Sequence, residues 1–443
     1  MIYKLLKLII GLGIRLYYRE IRVKNKERLN QIGGKIIIAN HPNTMMDGWI
    51  ISYITKEPIY FMAKGTFFNS PFKKWLLKSL GLIPINRASE SATRGVNNVD
   101  SFEACYRLLE EGKTVVIFPE GTSYKEMQLR ELKSGTARIG LEIEKRGNIK
   151  TPLQVISIGL VYTEAEAFRS SVLVSIGEPI SPAPYLELFK ENSIKAARQL
   201  TEVFREKLSS LLVNAKSNNY DSLVDNVIAL FGKSKMRFNG KNMERDVDFI
   251  RDINTRINFI SDNKPEQLEF IQTEINAIKL ELDRLHILPA FLDRNYRSVM
   301  FIRQILQSIF VLVIGLPFFL FGIVHNGLPY KLVDFIIPKL IKDIEYFAPI
   351  AVLMGLVLYP LNYFGFVTLA DYFFHLTFWG KFIYFFSMPV LGFVAYRYFL
   401  YTNYISVKTD FVIEMKTQKD KIAILRKRKA ELFELLFTSN TPD

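Results

Sequence analysis

Cysteine is almost missing from this chain of 443 residues: Cys105 stands alone, which excludes an intrachain disulfide framework and metal sites of the Cys-x-x-Cys type. Histidine is scarce as well. There are four, and His41 is the only one before His286, so no histidine-cluster metal site is offered and no metal or cofactor is implied. Acid is in deficit, with 44 Asp and Glu against 58 Lys and Arg, a formal charge of +14 and a pI near 9.5. Such a balance asks for an acidic partner. Nucleic acid is one candidate, but no nucleic-acid motif accompanies the charge, whereas long apolar segments do. The partner expected is therefore anionic membrane lipid, not nucleic acid. Apolar residues make up 49% and aromatics 13%, enough for both a core and membrane segments. The length suits two or three domains better than one.

The stretch Ile36-Ile37-Ile38-Ala39-Asn40-His41-Pro42-Asn43-Thr44-Met45-Met46-Asp47 organises the rest. Its β-branched run reads as a buried strand, and Asn-His-Pro-Asn breaks it. Gly48-Trp49-Ile50-Ile51 resumes an apolar pattern of helical kind. His41 thus falls where a strand ends and a helix begins. A neutral imidazole there can take a proton from a hydroxyl, and the nearby Asp47 carboxylate can hold its tautomer. Taken alone, a single histidine at a strand end is more often capped or buried, and an Asp at a helix start more often faces solvent.

Two further blocks follow in order. One is Gly81-Leu82-Ile83-Pro84-Ile85-Asn86-Arg87. The other is Val115-Val116-Ile117-Phe118-Pro119-Glu120-Gly121-Thr122-Ser123, continued by Leu132-Lys133-Ser134-Gly135-Thr136-Ala137-Arg138. With Asn40-His41…Asp47, this set resembles the glycerolipid acyltransferase superfamily of glycerol-3-phosphate and lysophosphatidic-acid acyltransferases, over roughly residues 35 to 182. Two departures stand out. The usual pattern places four residues between His and Asp, whereas five intervene here, as in a branch that includes fungal glycerol-3-phosphate acyltransferases. Many lysophosphatidic-acid enzymes read Glu-Gly-Thr-Arg in the third block, and Ser123 replaces that arginine.

The resemblance implies His41 as general base toward an acceptor hydroxyl and Asp47 as its orienting partner, in a dyad without a nucleophilic serine. Arg87 would fork onto an acceptor phosphate, or else cap its strand with a surface ion pair. Glu120 and Gly121, with Thr122 and Ser123, would belong to the acceptor site; a structural Glu120 holding its turn is the alternative. Lys133 and Arg138 flank a helix start, where backbone N–H groups favour anions, and would stand in for the missing arginine. Implied partners are an acyl donor (acyl-CoA, acyl-carrier protein or acyl phosphate) and a glycerol phosphate or lysolipid acceptor.

Periodicity places strands at Ile36–Ala39, Ile59–Ala63, Leu82–Ile85, Thr114–Phe118, Val155–Tyr162 and Val172–Ile176, with helices between them. That alternation predicts an α/β domain, a mixed sheet flanked by helices, over 27–214. Residues 1–26 carry seven Lys and Arg around a short apolar run and predict a basic amphipathic membrane-surface segment. The polar stretch 215–300 reads as a helical connector containing a heptad helix over 266–287. Its seam is Leu268, Ile271, Ile275, Ile278, Leu282 and Leu285. A membrane domain over 301–403 follows, with apolar segments at Ile305–Val324, Tyr346–Leu369 (broken by Pro349 and Pro360) and Phe382–Leu400. A basic helix over 404–443 closes the chain. Its seam, from Phe411 to Leu436 and interrupted at Gln418 and Lys429, is expected to pack on the heptad helix. Pairing requires both on one side of the membrane, which makes a re-entrant segment within 346–369 the expected resolution.

The expectation is an α/β acyltransferase domain followed by a C-terminal helical membrane domain, acylating glycerol-3-phosphate or 1-acylglycerol-3-phosphate in phospholipid biosynthesis. Its expected place is a bacterial cytoplasmic membrane, catalytic domain on the cytoplasmic side. Acylation of another hydroxylated lipid, such as a lyso-aminolipid, is the first alternative, and a non-catalytic lipid-binding membrane scaffold the second.

Overall fold

The computed structural model describes residues 2–85, 98–123, 129–212, 221–231, 243–293 and 298–438; Arg87 lies outside them. Two compact units result, Met1–Asn214 with Ile341–Val352, and Ala215–Leu340 with Leu353–Asp443.

The first unit runs α1 (Ile2–Tyr17), β1 (Glu20–Lys24), β2 (Lys35–Ala39), α2 (Thr44–Ile54), β3 (Ile59–Lys64), α3 (Pro71–Ser79) and β4 (Leu82–Ile85). It continues α4 (Asn98–Glu110), β5 (Thr114–Ile117), α5 (Gly135–Arg146), β6 (Gln154–Tyr162), β7 (Ser171–Ile176), α6 (Leu186–Glu191) and α7 (Ser193–Leu211). The seven strands form one sheet in the order β1-β7-β6-β2-β5-β3-β4. Only the β6–β7 pair is antiparallel.

The isoleucine run explains the centre of this sheet. A strand covered on both faces has no polar side, so it reads as continuous apolar residues. Ile36 and Ile38 share one core with Val115, Ile117 and Val155 of the neighbouring strands and with Cys105, Leu109, Leu200 and Phe204 of the helices. Ile37, Val116 and Ile156, offset by one residue, are buried too. Registration pairs Ile36 with Val115 on one side and Val155 on the other, so the strand ends stay level.

Residues 1–26 are not a single surface segment. The helix stops at Tyr17, and Glu20–Lys24 forms an edge strand parallel to β7. Its charged residues, Glu20, Arg22 and Lys24, are half-buried, which an edge position tolerates and a hydrophobic pattern does not reveal.

The second unit is helical: α8 (Asp221–Phe231), α9 (Met243–Asn263), α10 (Pro265–Arg284), α11 (Pro289–Leu292), α12 (Ser298–Leu340), α13 (Phe347–Phe374, entered from the first unit), α14 (Phe378–Thr417) and α15 (Lys419–Phe433). The stretch read as a connector has a core of its own. Leu223 and Val227 of α8, Ile257 of α9 and the whole α10 seam bury together with Phe411, Ile422, Leu425, Leu432 and Leu436. Lys429, which interrupts the second seam, is buried, and its ammonium bonds both carboxylate oxygens of Asp293 at 2.8 and 2.9 Å. Pairing makes the interruption tolerable.

Among the described residues, three helices are long and apolar enough to cross a membrane: Ile305–Leu340, Ile344–Phe374 and Phe378–Thr417. The prolines of 346–369 do not interrupt α13, which is continuous over Phe347–Phe374. Pro349 falls in the first turn of α13, where a missing N–H costs nothing, and the helix continues through Pro360. A methyl on Gly322 of α12 would collide with the Leu391 carbonyl of α14, so close helix approach requires glycine there. Outward-facing Leu306, Phe310, Leu361 and Ile383 are each more than 60% exposed, a surface suited to lipid and not to water.

Cys105 has no exposed surface, and burial pushes its thiol up to about 12. The thiolate is the reactive form. An aromatic disulfide reagent at pH 8 should therefore leave the folded protein unlabelled and take one equivalent in denaturant; rapid labelling of the folded protein would contradict this packing.

Candidate active site

His41 follows the C-terminal end of β2, in the central part of a largely parallel sheet where strand ends and loops gather functional groups. Asn40 prepares its position. Its amide donates to the Leu160 carbonyl at 2.9 Å and accepts from the Leu160 N–H at 2.8 Å, continuing the β2–β6 ladder with a side chain. Beyond it, the His41 ring stacks on Phe118, with centroids 3.9 Å apart and planes 11° from parallel. Phe118 follows β5, the strand on the other side of β2.

His41 Nδ1 lies 2.9 Å from Asp47 Oδ2. Asp47 is wholly buried, and three groups converge on its carboxylate. Oδ2 also accepts the Asn43 N–H at 2.7 Å, and Oδ1 accepts the Tyr162 hydroxyl at 2.5 Å. Burial first, then the Asp47 charge, hold the Tyr162 hydroxyl well above its ordinary value, so it stays a donor. A carboxylate that accepts from Nδ1 fixes the proton there and leaves Nε2 with the lone pair. The imidazole, 15% exposed, is thus poised to accept a proton at Nε2.

The turn that brings Asp47 back to His41 is strained. Thr44 has φ of +40°, in the left-handed region that a β-branched residue rarely adopts, at a cost of about 1–3 kcal/mol. Ser123 holds it. Its hydroxyl donates to the His41 carbonyl at 2.7 Å and accepts the Thr44 N–H at 3.0 Å. Thr44 Oγ1 donates to the Glu345 carbonyl at 2.9 Å.

Glu120 completes the frame. Its Oε1 accepts the His41 N–H at 3.0 Å and its Oε2 accepts the Arg130 N–H at 3.3 Å. Burial raises this carboxyl above its ordinary value, and the two N–H groups partly oppose that. Gly121, at φ +79°, is required twice over: a methyl there would also stand 2.5 Å from Lys133 Nζ. The exposed Lys133 side chain therefore lies across the Glu120–Gly121 turn. Thr122 is half-buried beside it, and Arg138 lies on the exposed side of α5.

A family model described as Acyltransferase matches residues 20–159. The chloroplastic 1-acyl-sn-glycerol-3-phosphate acyltransferase LPAT1 of Arabidopsis thaliana is 24% identical over 44% of this chain, which spans about half (52%) of that protein. The 1-acyl-sn-glycerol-3-phosphate acyltransferase of Bacillus subtilis is 27% identical over 43% of this chain and 87% of its own length. Glycerol-3-phosphate O-acyltransferase 2 of Saccharomyces cerevisiae is 28% identical over 35% of this chain and 21% of its own. Residues 20–159 thus match the Acyltransferase family model, and this part of the chain is similar to curated glycerolipid acyltransferases.

Among the residues singled out from sequence, His41, Asp47, Glu120, Gly121, Ser123 and Lys133 come together. Asn43, Phe118, Tyr162 and Glu345 join them unannounced. Tyr162 carries no local signal, since it stands 115 residues from the carboxylate it meets.

The raised Glu120 carboxyl has a consequence for stability. A proton bound more tightly in the folded chain contributes stability in full below the ordinary value of 4.5, and that contribution is lost as pH rises through the raised value. Unfolding of wild type and Glu120→Gln over a pH series should show wild type losing stability relative to the variant as pH rises above 4.5. A flat difference would mean that burial is not felt at this group.

Proposed function

We propose that this chain transfers an acyl group from a thioester or acyl phosphate to a hydroxyl of glycerol-3-phosphate or 1-acylglycerol-3-phosphate. The observation that carries the reading is the His41–Asp47 pair, with Nδ1 held by a buried carboxylate and Nε2 free to act as base. Nε2 takes the proton of the acceptor hydroxyl while its oxygen attacks the donor carbonyl carbon. The tetrahedral intermediate then expels the thiolate or phosphate, and His41 returns the proton to the leaving group. The printed names of the relatives support the glycerol-phosphate class. Lys133, over the Glu120–Gly121 turn, supplies positive charge for an acceptor phosphate; Arg87 and Arg138 are further candidates for the same role, and Thr122 lines the turn.

Attachment to the membrane suits a lipid product. We place α1 at the bilayer surface. Leu5, Leu8 and Leu12 are exposed along it, while Lys7 and Arg15 bond Thr55 and Tyr53 of the same unit. The basic balance of the chain supports an anionic, cytoplasmic-side surface.

A second reading, acylation of a hydroxylated lipid without a phosphate at this position, is favoured by one observation. Ser123, at the place of the arginine in the Glu-Gly-Thr-Arg pattern that the third block resembles, has its hydroxyl engaged by the His41 and Thr44 backbone, so we assign it to the frame.

His41→Ala should lower acyl transfer ~10²–10⁴-fold in a protein that remains folded. Turnover like that of wild type would refute the mechanism. Lys133→Ala should raise KM for a phosphorylated acceptor about tenfold or more, since a charge-assisted bond is worth roughly 1.5–3 kcal/mol. A mass-spectrometric acceptor panel that finds the same change for an uncharged acceptor would support the second reading.

A further inference from the structure

The family match ends at residue 159, yet the first unit includes Ile341–Val352, the link between α12 and α13 together with the first residues of α13. This link contains the Glu345 carbonyl that accepts the Thr44 hydroxyl. Ala348 and Val352 within it are buried, so it is seated and not merely passing by. Its partner is the strained residue of the catalytic turn. A left-handed β-branched residue persists only where its surroundings over-determine it. Here Ser123 grips the backbone of Thr44, and Glu345 grips its side chain.

We propose that the Thr44–Glu345 bond is a latch by which the link between two membrane-length helices positions the His41–Asp47 pair. The inference rests on the acyltransferase reading above. Thr44 is a positioning residue in it and touches no substrate. Released from the latch, Thr44 can relax toward negative φ. That movement rotates the first turn of α2, and with it Asp47 three residues on, away from Nδ1. A misplacement of about 1 Å can cost ~10²-fold in rate. Thr44 also accounts for the five-residue interval between His41 and Asp47: the extra residue needs a sharp reversal, and the reversal needs holding. The link thereby makes catalysis depend on how α12 and α13 are joined.

The test uses the full-length protein in vesicles of anionic lipid, comparing wild type, Thr44→Val, Thr44→Ser and Ala348→Leu. Thr44→Val keeps the branched shape and loses the donor; Thr44→Ser keeps the donor. Ala348→Leu crowds a fully buried methyl within the link. Thr44→Val should lower kcat about 10–100-fold with KM within about twofold, and should speed amide hydrogen exchange in peptides covering 41–47 and 341–352 together. Thr44→Ser should restore both readouts, and Ala348→Leu should reproduce the exchange change from the other side of the bond. Unchanged kcat in Thr44→Val, equal loss in the serine variant, or faster exchange in one peptide only would overturn the latch. If wild type acylates no acceptor at all, the acyltransferase reading fails instead, and coupled exchange between the two peptides still decides whether the latch exists.

Discussion

A carboxylate with no surface open to water, as at Asp47, is tolerated only while its lone pairs are filled by donors. The arrangement around His41 follows from meeting that demand. One donor is the His41 ring, another the Asn43 N–H inside the same turn, and the third the Tyr162 hydroxyl at the end of β6. Each constrains something larger. The ring bond sets the tautomer. The backbone bond closes the turn from Asn43 to Asp47, in which Thr44 stands in left-handed backbone. The tyrosine bond requires β6 to lie beside β2, as the strand order provides. Removing any donor leaves a buried charge partly unmet, so geometry and stability are bound together at this point.

What the sequence makes legible is local, and what it hides is brought in from a distance. The run Ile36–Ala39 announces a doubly covered strand because both faces are apolar, and Asn40-His41 marks its end within the same few residues. The mixed α/β sheet and the following helical membrane region are read in the same way. By contrast, Phe118, Tyr162 and Glu345 reach the site only through strand order or through contacts between remote segments. Edge strand β1 is hidden for another reason: Glu-Ile-Arg-Val-Lys alternates charge with apolar residues at a border where charge is tolerated. The core shared by α8, α9, α10 and α15 was half legible. The α10 seam is long enough to read, whereas α8 supplies little more than Leu223, Val224, Val227 and Leu230. Its burial becomes evident only with its partners in place.

Proline misleads in water and in lipid for opposite reasons. In a soluble helix an interior proline is a strong stop, which is why Pro360 suggested a break. In a membrane-length helix the alternative to continuing is exposed backbone in hydrocarbon, which costs more than one lost bond. The helix therefore continues through it, as α12 does through Pro317, Pro329 and Pro338. Polar side chains between these helices obey the same constraint. His325 Nδ1 donates to the Phe321 carbonyl at 2.8 Å, so Nε2 accepts the Tyr384 hydroxyl at 2.6 Å. Asn362 donates to the His325 carbonyl at 2.7 Å. The network ties three helices together by local and inter-helix bonds while leaving the outward faces apolar.

Under the proposed reaction, the turn at Glu120 bears on what kind of selectivity the site can exert. An arginine at position 123 would offer a planar fork that matches a phosphate in shape as well as charge. Serine there cannot, and its hydroxyl is engaged by the turn itself. The cation that does lie over the turn, Lys133, is a compact charge on a flexible stem. It attracts an anion without dictating its orientation. Glu120 is held in the same turn by its two backbone bonds, which keep it from swinging away. Under the proposed reaction, part of the acceptor's orientation then comes from the direction in which His41 Nε2 accepts its proton. The stack on Phe118 fixes the plane of that ring and the Asp47 bond fixes its rotation. If His41 is the base of the proposed reaction, the fixed plane and rotation of its ring constrain which hydroxyl can be brought into line.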